Sequence, residues 1–278
     1  MPEVAIAPPY QLVPARHGTM LVNVNDTYMG QSYLRYGEVF EAEIDVLLGL
    51  LRFPGLVIDV GANMGVHTVP LAKELARQGR QMLSFEPQPV IFQQLCANLA
   101  LNGLMNVRAL PYACGSTPGV VTFSAPDYRQ EGNFGGVSMS TQGGISAVVT
   151  APCHTLDEIV GEALVALIKI DVEGFELEVL KGAKSLIARS QPALFVENDR
   201  LEKSEALIQW LLDHDYQLYW HTSTIYNPNN YRGNKENIFG NLGSVNMLCL
   251  HKSRNITVEG ATRISDASYH PMNALVSA

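Results

Sequence analysis

The stretch Val57-Ile58-Asp59-Val60-Gly61-Ala62-Asn63-Met64-Gly65 joins a short apolar run to a turn with two glycines and then to helix-forming sequence. Glycines at 61 and 65 let the backbone approach a ligand closely, and a helix starting just beyond offers unpaired N–H groups to an anion. Glu86 stands at the end of the next apolar run, where a carboxylate can take both hydroxyls of a ribose. The turn, the acid and their spacing specify an adenosine-containing cofactor; the alternative is that Asp59 and Glu86 only cap loops. The dinucleotide pattern Gly-x-Gly-x-x-Gly is missing, which disfavours a nicotinamide dehydrogenase, and so is a Gly-x-x-x-x-Gly-Lys-Ser/Thr loop for triphosphates. A zwitterionic amino-acid tail needs an acidic partner for its ammonium and helix-terminal donors for its carboxylate. Asp59 and the turn from Asn63 to His67 can supply both.

A second set of residues falls at or just past predicted strand ends: Asp171, Glu173, Glu197, Asn198 and His221. Ligands of open α/β sheets sit at that rim. His221 is the first candidate for a general base, because an imidazole titrates near neutrality without a large shift. Glu197 is its rival, with Glu173 beside it; the plain alternative for His221 is a surface-loop histidine. Asp171, Glu197 and Asn198 also offer oxygen ligands of the kind Mg²⁺ takes, although no metal is assigned. Phe134, Tyr226, Tyr231 and the Asn-rich stretch around Asn227–Asn230 combine aromatic faces with neutral amides, which suits a sugar. The same Asn-Pro and Gly-Asn steps also form turns.

The elements that must position these residues alternate. Strands are expected at 56–60, 81–86, 107–112, 164–170, 193–196, 216–220 and 245–250, with helices at 38–51, 66–78, 88–101, 175–188 and 202–214. Asn102-Gly103 and Pro54-Gly55 mark helix ends. Alternation at this spacing means crossover units on a mostly parallel sheet covered by helices on both faces. Residues 1–32, broken by Pro8-Pro9 and Pro14, are expected to be an irregular arm, 33–252 the main domain and 253–278 a peripheral tail. The Gly-rich segment 113–150 and the Asn-rich segment 221–243 break the rhythm and are expected to be acceptor-side loops or a lid.

The 278 residues hold 47% apolar and 17% charged side chains with a net charge of −8. That charge content is below the roughly 25% of an average soluble chain. No Lys/Arg run supplies a nucleic-acid footprint, and a negative balance opposes docking on anionic membrane. No apolar stretch approaches the roughly 18 residues of a spanning helix. With no secretory signal and four widely spaced cysteines (Cys96, Cys114, Cys153, Cys249), a cytoplasmic protein with reduced thiols is expected. The charge deficit has a location. Segments 109–156 and 218–250 carry only Asp127, Arg129, Glu131, Arg232, Lys235 and Glu236, roughly 7% of their positions against roughly 20% elsewhere. A neutral, amide- and aromatic-rich lid of this kind favours an uncharged polyhydroxylated acceptor.

The Gly-x-Asn-x-Gly turn resembles motif I of class I S-adenosylmethionine-dependent methyltransferases, and the chain as a whole resembles their FkbM family from about Tyr33 to Leu250. The residues that carry the resemblance are Tyr36-Gly37-Glu38 with Glu41, Asp59 to His67, Phe85-Glu86-Pro87 and Asn98 to Asn102. They continue with Asn133-Phe-Gly-Gly136, Ile168-Lys-Ile-Asp171-Val-Glu173-Gly174, Val196-Glu197-Asn198-Asp199, Tyr219-Trp-His221, Tyr226 to Asn230 and Glu236-Asn-Ile-Phe. Motif I marks the cofactor; the Asp171-Val-Glu-Gly string and the Asn-rich loop point to the family. The resemblance implies a Rossmann-like α/β fold with a seven-stranded sheet whose last strand is antiparallel. It also implies methyl transfer to an oxygen of a sugar, polysaccharide or secondary metabolite. S-adenosylmethionine would be the cofactor and S-adenosylhomocysteine the product. Gly61, Ala62, Asn63, Gly65 and His67 would hold the methionine part, Glu86 the ribose, Pro87 and Ala113 the adenine, and Asp171 would lie beneath the sulfonium. Glu38 and Asp59 complete the expected cofactor set. His67 departs from the small hydroxyl residue common at that place. An N-methyltransferase, which needs no base such as His221, and a non-catalytic cofactor-binding module are the alternatives.

Overall fold

A computed structural model describes residues 6–124, 126–136, 148–256 and 258–273. The chain opens with a hairpin of β1 (Tyr10–Ala15) and β2 (Gly18–Asn23), then α1 (Met29–Tyr36), α2 (Glu41–Leu50), β3 (Leu56–Val60), α3 (Thr68–Arg77), β4 (Met82–Phe85), α4 (Pro89–Leu101) and β5 (Val107–Leu110). A smaller unit follows: β6 (Ala113–Cys114), β7 (Gly119–Ser124) and β8 (Val148–His154). The alternation resumes with α5 (Leu156–Val160), β9 (Val165–Ile170), α6 (Glu176–Lys181), α7 (Lys184–Ser190), β10 (Ala193–Glu197), α8 (Leu201–Asp213), β11 (Tyr216–Thr224), β12 (Gly243–His251) and β13 (Arg263–Ile264).

The main sheet runs β13-β11-β12-β10-β9-β3-β4-β5. Strands β5, β4, β3, β9 and β10 are mutually parallel, and β12 enters antiparallel between β10 and β11. The seven expected strands are there, with the last long one antiparallel, and β13 adds a two-residue eighth at the edge. Period-two alternation splits each strand between two cores. Val57, Leu167 and Phe195 face the hairpin and α2–α4, while Ile58, Ile168 and Leu194 face α6–α8. Full burial of each such side chain contributes roughly 1.5–3 kcal/mol.

Two expectations about the ends of the chain are corrected. The arm is not irregular: β1 and β2 pair in full register, and Val13, Met20 and Val22 are buried in the core over α4. Pro14 is compatible with this because a two-stranded ribbon has free edges, where a missing N–H costs nothing. The hairpin backbone is held by α4, whose Asn98 Oδ1 accepts from Leu21 N at 2.6 Å and whose Gln94 donates to Leu21 O at 2.8 Å. The tail is not merely peripheral. Its β13 pairs with β11, and His270 Nε2 lies 2.7 Å from the Asn198 carbonyl oxygen beside the end of β10. The expected helix over 175–188 is two helices, α6 and α7. No helix among the described residues is long and apolar enough to cross a membrane.

Candidate active site

Parallel β3, β4, β9 and β10 place their carboxyl ends along one edge, and a cavity of about 320 Å³ opens there. At its floor the turn after β3 is pinned to β4: Gly61 N and Ala62 N both donate to Phe85 O, at 3.0 and 2.9 Å. Gly61 has φ 78°, and a Cβ on it would lie 1.8 Å from the Asp171 carbonyl oxygen. Only glycine lets the ends of β3 and β9 close together here. Glu86 is buried and faces the cavity; its Oε2 accepts from Asn63 N and its Oε1 from Gln88 N, both at 2.9 Å. Burial pushes its pKa up to about 7 against those two bonds. Each oxygen keeps a free lone pair, so the carboxylate can accept from two ribose hydroxyls. Gly61, Asn63, Glu86, Pro87 and Asp171 of the expected cofactor set line the cavity, and they fit an adenosine cofactor.

The other expected cofactor residues have different work. Asp59 sits opposite Lys169 in the β3–β9 register, so the two side chains share a face. Its Oδ1 is 3.2 Å from Lys169 Nζ and its Oδ2 accepts from Thr68 Oγ1 at 2.6 Å. The same Nζ lies 3.3 Å from Asp171 and donates to Gly61 O at 2.8 Å. Burial alone would lower the Lys169 pKa, and Asp171 and Asp59 more than offset this. Asp59 thus anchors the turn from below through a buried ion pair and is absent from the cavity wall. Glu38 is saturated by Arg16 Nε (2.6 Å), Asn227 Nδ2 (2.7 Å) and Tyr231 N (2.6 Å), fastening the loop after β11 to the N-terminal hairpin. His67 is buried against Glu43, with its ring stacked over Phe40. Ala62, Gly65 and Ala113 do not line the cavity either. Within the turn three donors are already engaged: Asn63 N is held by Glu86, Met64 N by Asn63 Oδ1 and Gly65 N by Ala62 O.

Beyond the cofactor residues the wall is acidic. Asp171 and Glu173 follow β9, Glu197 ends β10, and Asp199 and Arg200 come next. Arg200 pairs with Glu173 and, at 2.6 Å, with Asp199. Burial, then the charge of Asp171, pushes the Glu173 pKa to about 8. Glu197 is raised well above the carboxylate range by burial and by Asp171 and Glu173, and its Oε2 is buried without a hydrogen-bond partner. Both expected carboxylate bases therefore reach the cavity. His221 does not. Strand β11 runs on to Thr224, so His221 lies within the strand, edge-on to Phe195 at 5.5 Å, with Nε2 buried and unpaired. Burial lowers its pKa, partly countered by Glu43.

The facing wall includes groups that sequence reasoning missed. Glu43 is 3% exposed and accepts from Ser223 Oγ at 2.6 Å and from Ser244 Oγ, with His67 Nε2 at 3.1 Å. Burial would raise its pKa; His67 and the serines hold it below the usual range. The available signal was its position: 43, 47 and 50 form the buried stripe of α2, where an acid demands partners. Ser244 and Asn246 of β12 stand beside it. Of the expected acceptor side, Phe123, Asn133, Gly135 and Gly136 of the first segment and Ile225, Leu242 and Gly243 of the second line the cavity, and residues 137–147 lie outside the described residues. Phe134, Tyr226 and Tyr231 do not line it, and the loop asparagines close turns: Asn230 Nδ2 donates to Asn227 O and Asn234 O.

The sheet order with its antiparallel insertion, and a ribose-competent acid at the end of β4, define a Rossmann-like class I methyltransferase fold. The sequence matches the methyltransferase FkbM domain over residues 59–218. The chain belongs to the FkbM methyltransferase family. It is 27% identical over 176 residues to "Methyltransferase sdnD" of Sordaria araneosa, covering 53% of this chain and 67% of that protein. It is 32% identical over 127 residues to "Hexuronic acid methyltransferase AglP" of Haloferax volcanii, covering 45% of this chain and 48% of that protein. The chain thus spans about half the length of the second relative. A crystal structure of methyltransferase FkbM from Methylobacillus flagellatus KT superposes with a TM-score of 0.48 at 20% identity, covering 72% of this chain and 45% of that one.

Proposed function

We propose that this protein is an S-adenosylmethionine-dependent O-methyltransferase acting on a hydroxyl of a sugar or a small hydroxylated metabolite. The observation that carries the reading is one cavity lined together by Glu86, at the end of β4, and by Glu173 and Glu197, at the ends of β9 and β10. When bound, the cofactor supplies an electrophilic methyl group. The chain's residues have the remaining tasks. Glu86 accepts from the ribose hydroxyls, Pro87 borders the adenine and Asp171 faces the cationic end of the methionine part. Glu197 or Glu173 would take the proton of the acceptor hydroxyl as its oxygen gains the methyl carbon and the methyl–sulfur bond of the cofactor breaks, the electron pair leaving on sulfur. Burial and neighbouring carboxylates raise both acids above the ordinary carboxylate range. The relative named as a hexuronic acid methyltransferase supports a sugar acceptor. The excess of carboxylates over Arg200 on the wall favours, as a second reading, a cationic amine acceptor.

The test combines calorimetry with a radiolabelled methyl-transfer assay on neutral sugars, uronic acids and amino sugars. Glu86→Ala is expected to weaken S-adenosylmethionine binding at least tenfold. Glu197→Gln is expected to lower turnover a hundredfold or more with cofactor affinity changed less than threefold, while His221→Ala keeps turnover within about fivefold. Transfer to amino sugars alone would move the assignment to N-methylation. Failure of the wild type to bind the cofactor would remove the reading altogether.

A further inference from the structure

We propose that Asp171, Glu173 and Glu197 bind one divalent cation of the magnesium or manganese class, at the point where acceptor and cofactor meet. One carboxylate oxygen from each side chain lies within 4.8 Å of the other two. Six oxygens around Mg²⁺ at 2.0–2.1 Å are spaced about 3.0 to 4.2 Å apart, so small side-chain rotations bring these three to ligating distance. The independent sign of a missing partner is Glu197. Its carboxyl group is almost wholly enclosed, it faces the cavity, and its Oε2 is buried with no hydrogen bond. A buried, unsatisfied carboxylate oxygen costs free energy that a cation recovers.

Charge accounting points the same way. Four carboxylates, Asp171, Glu173, Glu197 and Asp199, face one guanidinium, Arg200, and one ammonium, Lys169, which is also shared with Asp59. With all four ionised the cluster is short of positive charge by at least two units, the charge of one divalent ion; without a cation, protons on Glu173 and Glu197 make up the difference. Asn198, the amide of the expected oxygen set, does not line the cavity and has its Nδ2 3.4 Å from the Met247 sulfur, whereas Glu173, held at φ 55°, lines it and joins the cluster. Mg²⁺ keeps several waters, so positions stay open for acceptor hydroxyls. Asp171 and Glu173 share an oxygen with Lys169 and Arg200, so Glu197 is the ligand that keeps a second oxygen to receive a proton. A bound cation would also let an acidic wall admit an anionic acceptor such as a uronic acid. The inference rests on reading this cavity as a methyl-transfer site.

The test uses full-length protein stripped with chelator and titrated with Mn²⁺, following the electron paramagnetic resonance signal of the free ion. One Mn²⁺ per chain is expected, displaced by Mg²⁺. Glu197→Gln and Glu173→Gln should each weaken it at least tenfold, and Glu178→Gln, an acid held by Lys181 and Ser116 on α6, should leave it unchanged. Absence of stoichiometric uptake up to millimolar Mn²⁺, or uptake indifferent to both cluster variants in folded protein, overturns the proposal. Cofactor titration in the same chelated buffer separates the two readings. Cofactor bound without Mn²⁺ uptake overturns the cation site alone; Mn²⁺ uptake without cofactor binding supports the cation and removes the methyl-transfer reading.

Discussion

Lys169, 3% exposed, joins three parts of the site: Asp59 on β3, the Gly61 carbonyl in the turn and Asp171 after β9. Removing one partner of a buried ion pair leaves an uncompensated charge, whereas replacing both can be nearly neutral. Lys169→Met is therefore expected to lower stability by about 3–5 kcal/mol in urea unfolding at pH 7, and Asp59→Asn/Lys169→Met to recover at least half of the loss. A wild-type unfolding midpoint for Lys169→Met would show that the pair holds nothing. The pair also marks how far single residues were legible. Glu86, Glu173 and Glu197 could be placed because strand ends are visible in the sequence and strand carboxyl ends carry ligands. Asp59 could be seen but not its partner, because the facing residue depends on which strands are neighbours and in what register. His221 was misplaced for a related reason: His-Thr-Ser-Thr is polar, yet it pairs with β12 through to Gly243, so the strand continues past the apolar residues that announced it.

At the level of elements, the N-terminal hairpin is where pattern and structure parted. Its apolar residues are few and interrupted by Pro14, so the alternation is too short to read. What makes it a hairpin is the α4 surface, where Gln94, Asn98 and Asn102 receive its backbone groups. Such a partner lies outside any local window, whereas β3 and β9 are buried on both faces and announce themselves as apolar runs. If the hairpin is an integral layer, its inward residues must behave as core. Met20, 2% exposed, is expected to cost about 2–5 kcal/mol on truncation to alanine. Leu12 on the outer face, 37% exposed, should cost no more than about 0.5 kcal/mol. Chemical denaturation of the two variants checks this; equal small effects would return the hairpin to the status of a loose arm.

For the whole molecule, the acids of the cavity make stability depend on pH in a direction opposite to that of ordinary carboxylates. Glu86 at about 7, Glu173 at about 8 and the strongly raised Glu197 hold protons in the folded chain that the unfolded chain has already released. Where the folded state binds more protons, stability falls as pH rises. The contribution is fully present below the unfolded value near 4.5 and is lost as pH rises through 7 and 8. His221 works the other way: its lowered value means stability is lost as pH falls through about 6.5. Glu43, held low, adds a loss only as pH falls below about 4.5. Between pH 7 and 8.5 both are settled in one charge state, and the cavity acids dominate. The thermal midpoint of chelated, ligand-free protein is therefore expected to fall across that interval, and Glu197→Gln, which leaves no charge to expel, should flatten the fall. A midpoint that is level or rises from pH 7 to 8.5 would mean that these carboxylates are already ionised in the folded chain. In that case the cavity would have no group poised to exchange a proton near neutrality, and the acid wall would act through fixed charge alone.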